Sequence, residues 1–190
     1  MKIAIIGTHS TGKTSIIQQL SLVLKNRGKR VFVVTEVARR VPGNINENAG
    51  LATQLWIQEK QKKIEATPIG VNSVMLCDRS IIDNFAYLER VAGSADISGI
   101  EKDAVKHIQT YDFIFKTKKL DVSAVADGVR SVTDSFRDNI EERIVYLLQK
   151  HAIDYNILPG TLDAMHIVSH IEHIIAPKLY SLQFVATPTA

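Results

Sequence analysis

Short unbroken apolar runs alternate with longer stretches of helical period along this chain. Ile3-Ala4-Ile5-Ile6, Val31-Phe32-Val33-Val34 and Val74-Met75-Leu76-Cys77 lack the apolar–polar alternation of a half-exposed strand. Runs of that length fit strands covered on both faces. The pattern predicts strands at 2–6, 30–34, 73–77 (ending at Asp78), 111–116 and 154–158. Helical period predicts helices over 13–26, 48–66, 80–92, 100–110, 133–151 and 161–175. Strands separated by helices give an α/β fold, a parallel sheet with helices on both faces. Asn26-Arg27-Gly28 and Pro159-Gly160 punctuate it as turns. Val41-Pro42-Gly43-Asn44-Ile45-Asn46 is a turn cluster, and a longer irregular segment starts at Thr117 and runs to about Thr133. No internal repeat or low-complexity tract interrupts the pattern. Residues 181–190 have no helical period and read as a tail behind one domain spanning 1–180.

Composition narrows this picture without redirecting it. The 190 residues are 45% hydrophobic and 23% charged, the balance of an ordinary globular domain. A net charge of +3 tolerates an anionic small molecule but is weak for a nucleic-acid surface. The single cysteine, Cys77, excludes an internal disulfide framework and falls in an apolar run, as a buried core residue would. No run approaches the roughly 18 apolar residues of a membrane span, and the chain enters a strand at once. A cytoplasmic protein without membrane contact is expected.

The chemistry enters at the first turn. Gly7-Thr8-His9-Ser10-Thr11-Gly12-Lys13-Thr14 fills every fixed position of G-x-x-x-x-G-K-[S/T], between a predicted strand and a predicted helix that opens near Ser15. Free backbone N–H groups and a helix dipole then converge on one spot, an anion site suited to phosphates. The glycines let the backbone curl closely, Lys13 brings a positive charge to the β- and γ-phosphates, and the Thr14 hydroxyl suits Mg²⁺. The expected ligand is a nucleoside triphosphate held by residues 7–15. His9 occupies a variable position and needs no catalytic role.

In open α/β sheets ligands bind beyond the carboxyl ends of the strands, which selects further candidates. Asp78 ends an apolar strand as a metal-holding or proton-accepting acid does, or else caps the next helix. Arg79 can clamp a phosphate or pair with a nearby acid. Glu36 can bind a substrate hydroxyl or act as a base, or pair structurally with Arg39 or Arg40. Arg130 and Arg137 follow the fourth strand, where a closing loop delivers cations to a moving phosphoryl group. Gln54, Gln58 and Gln61 share one helix face, read foremost as an exposed polar face and otherwise as amides offered to a base or sugar. Trp56 and Tyr87 read as core residues ahead of stacking platforms. His166, His170 and His173 have metal-compatible spacing but no completing ligands, so a solvated face is expected.

These motifs carry a family resemblance. The chain resembles the P-loop kinases related to the nicotinamide riboside kinase domain of NadR-type proteins, the NadR-like AAA-type ATP-binding domains. The matching pieces are residues 7–14, Thr35-Glu36-Val37-Ala38-Arg39-Arg40, Ala126-Asp127-Gly128-Val129-Arg130-Ser131, and Phe136-Arg137. More distantly, Asp78-Arg79-Ser80 is similar to signatures of deoxynucleoside and thymidylate kinases. The resemblance implies a three-layer sandwich on a five-stranded parallel sheet in the order 2-3-1-4-5. It implies Glu36 and Asp78 flanking a phosphate acceptor, Arg79 on phosphate, and Arg130 with Arg137 in a lid over about 117–137. It implies ATP and Mg²⁺ as cofactors and a nucleoside- or nucleotide-like acceptor, without identifying it.

Two other readings stay open beside a small-molecule kinase. One is a nucleotide-controlled switch, ATPase or GTPase, although Asp78 lacks the D-x-x-G pattern and Lys118-Lys119-Leu120-Asp121 only approaches N-K-x-D. The other is a polynucleotide kinase, supported only by Lys116, Lys118 and Lys119. The sequence leaves ATP against GTP open, and a homodimer too.

Overall fold

A computed structural model describes residues 1–41, 49–119 and 134–181. In chain order these form β1 (Lys2–Ile6), α1 (Lys13–Asn26), β2 (Arg30–Val34), a 3₁₀ turn (Val37–Arg40), α2 (Leu51–Glu65), β3 (Ser73–Asp78), α3 (Ile81–Ala92), α4 (Ser98–Ile108), β4 (Phe113–Lys116), α5 (Asp134–Lys150), β5 (Asn156–Ile157) and α6 (Ala164–Ser181). The five strands pair in parallel in the order β2-β3-β1-β4-β5, as the resemblance implies.

The apolar strands β1 and β3 are buried for the expected reason, whereas β2, at the edge of the sheet, leaves Phe32 and Val33 48% and 41% exposed. Ile3 and Ile5 of β1 pack with α1 and α6 against Leu76 and Phe115. Ala4 and Ile6 point the other way, into a core shared with α3, α4 and α5 through Phe85, Ala104 and Ile144. Alternate side chains of one strand thus serve opposite layers. Cys77 lies fully buried in the second core. Register then sets the site: Ile5 aligns with Asp78 and Ile6 with Lys116, so the loop after β1 emerges level with the ends of both neighbours.

Three sequence expectations need correction. First, α6 runs to Ser181 rather than 175, passing through Pro177. The proline removes a helical hydrogen bond, but Ile171, Ile175 and Leu179 recur on the face buried with α1 and carry the helix onward. The proposed tail retains only residues 182–190, which lie outside the described residues. Second, the predicted fifth strand shrinks to two residues, because only Asn156 and Ile157 align with Phe115 and Lys116 of β4.

Third, α2 is turned over. Its buried face is Gln54, Ile57, Gln58, Gln61 and Glu65, while Leu55 and Trp56 are 38% and 39% exposed. The amides face α3 and Trp56 is not core, contrary to both expectations. For Gln61 and Glu65 a hydrogen-bonded polar layer beneath the helix, with Asn84, Tyr111 and the Arg79 carbonyl, offsets the loss of water, while the buried Gln58 amide has no partner among the described residues. Tyr87, by contrast, is buried as expected.

Candidate nucleotide and acceptor site

The loop between β1 and α1 is built for close approach. Gly7 has φ of 131° and Gly12 φ of 79°, and a Cβ on Gly7 would lie 2.4 Å from Thr117 Oγ1. Only glycine fits there. Thr117 Oγ1 lies 2.7 Å from Thr11 Oγ1 and donates to the Ile6 carbonyl at 3.0 Å, tying the end of β4 to the loop. Lys13 opens α1, and its ammonium donates to the Thr8 carbonyl and, at 3.2 Å, to Thr11 Oγ1. Burial, reinforced by the nearby Arg79 guanidinium, lowers its pKa to about 8. Lys13 thus folds back onto neutral oxygens of its own loop.

Thr14 Oγ1 donates to Asp78 Oδ2 at 2.7 Å. This brings together the two hard oxygen ligands anticipated for Mg²⁺, a hydroxyl and a carboxylate at the mouth of the loop. The donor set fits that ion, which Thr14 and the water shell of Asp78 could hold. Asp78 does not cap a helix: Ser80 does, accepting from Ile82 N and Asp83 N while Asp83 Oδ2 accepts from Ser80 N. Thr8, His9 and Ser10 complete the loop and Ser15 lies in the first turn of α1; Thr8 and His9 are buried, with the His9 ring 5.7 Å from that of Phe136.

Next to the loop, Arg79 follows β3 in a left-handed conformation, φ 82°. Its Nε donates to Glu36 Oε1 at 2.9 Å and its Nη1 to the Gly7 carbonyl at 3.3 Å, and its guanidinium lies 5.0 Å from the centre of the Tyr87 ring. Burial opposes its charge, but Tyr87, Glu36, Asp83 and Asp78 outweigh that and raise its pKa. Glu36 also accepts from Arg39 Nε at 3.0 Å, so both structural pairings anticipated for these residues are made. Glu36, Gln54, Ile57, Arg79, Asn84 and Tyr87 line a small cavity of about 20 Å³ beside the loop, room for little more than a water molecule in this state. A roomier cavity of about 330 Å³ opens at the opposite, amino-terminal ends of β4 and β5, around Asp112 and Asp154, away from this chemistry.

On the far side of the loop stands α5. Glu141 accepts from Thr8 N at 3.3 Å and pairs with the Lys116 ammonium. Arg137 lies one helical turn earlier, 1% exposed; its Nη1 donates to Asp134 at 3.1 Å, and its Nε and Nη2 have no partner among the described residues. Arg130 and most of the predicted lid lie outside the described residues. Lys119 pairs with Asp138, away from the loop. His166 and His173 are exposed, and among the described residues no His, Cys, Asp and Glu group gathers to hold a metal.

Three participants were not singled out from the sequence. Asp83 accepts from Gly7 N at 2.9 Å, and its pKa is raised by burial against the pull of Arg79. The Ser80-Ile81-Ile82-Asp83 spacing is a readable capping box. Glu141 and Glu65 carry no sequence signal, because most of their partners are remote in the chain.

Sheet order and loop geometry together define the class: a protein of the P-loop kinase fold. A family model described as AAA domain matches residues 2–164, and the chain belongs to that family. No curated protein matches it. Among solved structures, a NadR protein in complex with NR is similar over 90% of this chain and 50% of its own, at 18% identity and TM-score 0.67. A NadR protein in complex with NAD and AMP-PNP matches all of this chain and 51% of its own, at 16% identity and TM-score 0.66. Thymidylate kinase from Ehrlichia chaffeensis matches 94% of this chain and 98% of its own, at 15% identity and TM-score 0.59. The chain thus spans about half the length of the NadR chains it matches. Among the described residues no helix is long and apolar enough to cross a membrane.

Proposed function

We propose that this protein is an ATP-dependent kinase that moves the γ-phosphoryl group to a hydroxyl of a nucleoside, nucleotide or related small molecule. The observation that carries the reading is the Thr14–Asp78 hydrogen bond beside the folded-back Lys13, with a second cavity lined by Glu36 and Arg79 on the same sheet edge. The likeness in fold to NadR proteins and thymidylate kinase supports the reading.

In this mechanism the loop amides of residues 8–15 and Lys13 grip the triphosphate, and Lys13 leaves the Thr8 carbonyl for phosphate oxygen. Thr14 and Asp78 would hold a Mg²⁺ arriving with ATP, which would supply charge neutralisation on the phosphates. The acceptor hydroxyl enters beside Glu36 and Asp78, one of which orients it and takes its proton as the O–P bond forms and ADP leaves. Arg79 exchanges part of its pairing with Glu36 for the acceptor or its phosphate. Arg137, with Arg130, offsets charge spread over the transferred group. Gln54, 4% exposed in the cavity wall, presents an amide to the acceptor's base or sugar.

The test is to incubate the protein with Mg-ATP and a panel of nucleosides, nucleoside monophosphates and nicotinamide riboside, then measure ADP. Acceptor-dependent ADP release is expected. Slow release indifferent to every acceptor rejects the kinase in favour of a switch.

A further inference from the structure

Arg79 adopts a backbone conformation that a residue with a Cβ rarely takes. Such a conformation persists only where its surroundings over-determine it. Two backbone bonds do so. Arg79 N donates to the Ile5 carbonyl at 3.1 Å, and the Arg79 carbonyl accepts from Gln61 Nε2 at 3.1 Å. The first is an ordinary continuation of the sheet. The second comes from a side chain on α2 that is 1% exposed.

The Gln61 amide is itself held in one orientation. Its Nε2 also donates to Glu65 Oε1 at 2.8 Å, and its Oε1 accepts from Asn84 Nδ2 at 2.5 Å. Glu65 is 3% exposed and receives further bonds from Tyr111 Oη at 2.9 Å and, at its other oxygen, a His107 Nε2 contact at 2.8 Å. Burial works against its charge, yet the hydrogen bonds from His107, Tyr111 and Gln61 hold its pKa below the ordinary carboxylate value. An ionised carboxylate can only accept. Glu65 therefore requires the nitrogen end of Gln61 on its side, and the second hydrogen of that nitrogen is left for Arg79.

We propose that Gln61, oriented by Glu65, is a positioning residue for the site: it locks the Arg79 backbone in the left-handed turn that aims the guanidinium at Glu36 and the Gly7 carbonyl. The role of Arg79 in phosphoryl transfer rests on the kinase reading above; the lock itself does not. Gln61 touches no reactant; it acts through Arg79, and its oxygen also steadies Asn84 in the wall of the small cavity.

The experiment compares Gln61→Met, which keeps the volume but loses the donor, with the exchanged pair Gln61→Glu/Glu65→Gln. The exchange keeps one donor and one acceptor between the two positions but turns an oxygen toward the Arg79 carbonyl. For Gln61→Met, kcat with the best acceptor should fall about 10- to 100-fold, the loss typical of a misplaced group, with KM for ATP nearly unchanged. The exchanged pair should regain thermal stability while kcat stays low. Recovery of kcat together with stability overturns the proposal, because the network is then merely structural; so does a full kcat in Gln61→Met. A second readout does not need activity. The Arg79 Nε–H resonance in the ligand-free protein should shift in both variants, and an unmoved resonance overturns the lock. If the native protein releases no acceptor-dependent ADP, the kinase reading fails alone, and this resonance still decides the role of Gln61.

Discussion

Lys13 has an ammonium bonded to the Thr8 carbonyl in a site 5% exposed, and a folded pKa of about 8 against an ordinary 10.5. The unfolded chain therefore keeps this proton to higher pH than the folded one. The group's destabilising effect is complete below about pH 8 and fades as pH rises from about 8 to 10.5. The span is about 3 kcal/mol. Lys13→Met should be more stable than the native chain at pH 7, and the difference in urea-unfolding free energy should close across that window. A pH-independent difference would contradict the assignment. Asp78 makes a separate case. Its carboxylate bonds Thr14 and ends β3 level with the loop, and the proposed mechanism puts its work in the transfer step more than in holding ATP. Asp78→Asn should cut turnover by about 100-fold or more while changing ATP affinity little. Equal loss of both, measured by steady-state kinetics and calorimetry, rejects that role.

Among the elements, α3 shows how a cap can serve two sites. Ser80 and Asp83 exchange the reciprocal bonds of a capping box, and Asp83 Oδ1 also receives Gly7 N–H. Ser80→Ala should cost about 1 kcal/mol, the worth of an ordinary cap. Asp83→Ala leaves buried donors at both Gly7 and Ser80 and should cost about 3 kcal/mol, and it should weaken Mg-ATP binding as well. Denaturant unfolding and nucleotide titration of the two variants check this; identical effects would show that the Gly7 bond is idle. The elements also show what was legible. β1 and β3 were readable because strands covered on both faces are apolar throughout. The loop was readable because its chemistry is contiguous, Gly7 to Thr14. The inward face of α2 was not, since Gln61 and Glu65 look solvent-directed until Asn84, Tyr111, His107 and the Arg79 carbonyl are brought around them. Glu141 was not, because its partner Thr8 lies 133 residues away. Pro177 misled for a related reason: its cost is local, while the packing of Leu179 against α1 is not.

At the scale of the molecule, the site joins elements from most of the chain. The loop belongs to β1 and α1, Asp78 and Arg79 to the end of β3, Glu36 to the segment after β2, and Glu141 with Arg137 to α5. A ligand that engages all of them stabilises the whole fold by mass action. At 100 times its dissociation constant, Mg-ATP should add about 2.7 kcal/mol, a rise in melting temperature of roughly 5–10 °C for a domain of this size. Chelating the metal should shrink the rise and Lys13→Met should nearly abolish it; an equal rise in that variant would place the nucleotide elsewhere.

The lone sulfur offers one more consequence. Cys77 sits fully buried in β3 at the middle of the sheet, its thiol pushed well up in pKa by burial and then by Glu65. An external disulfide reagent has nothing to attack until that strand is laid bare. The chain thus carries its own stopwatch: the pace at which an added chromogenic reagent is consumed counts how often the sheet comes apart, without any label being introduced.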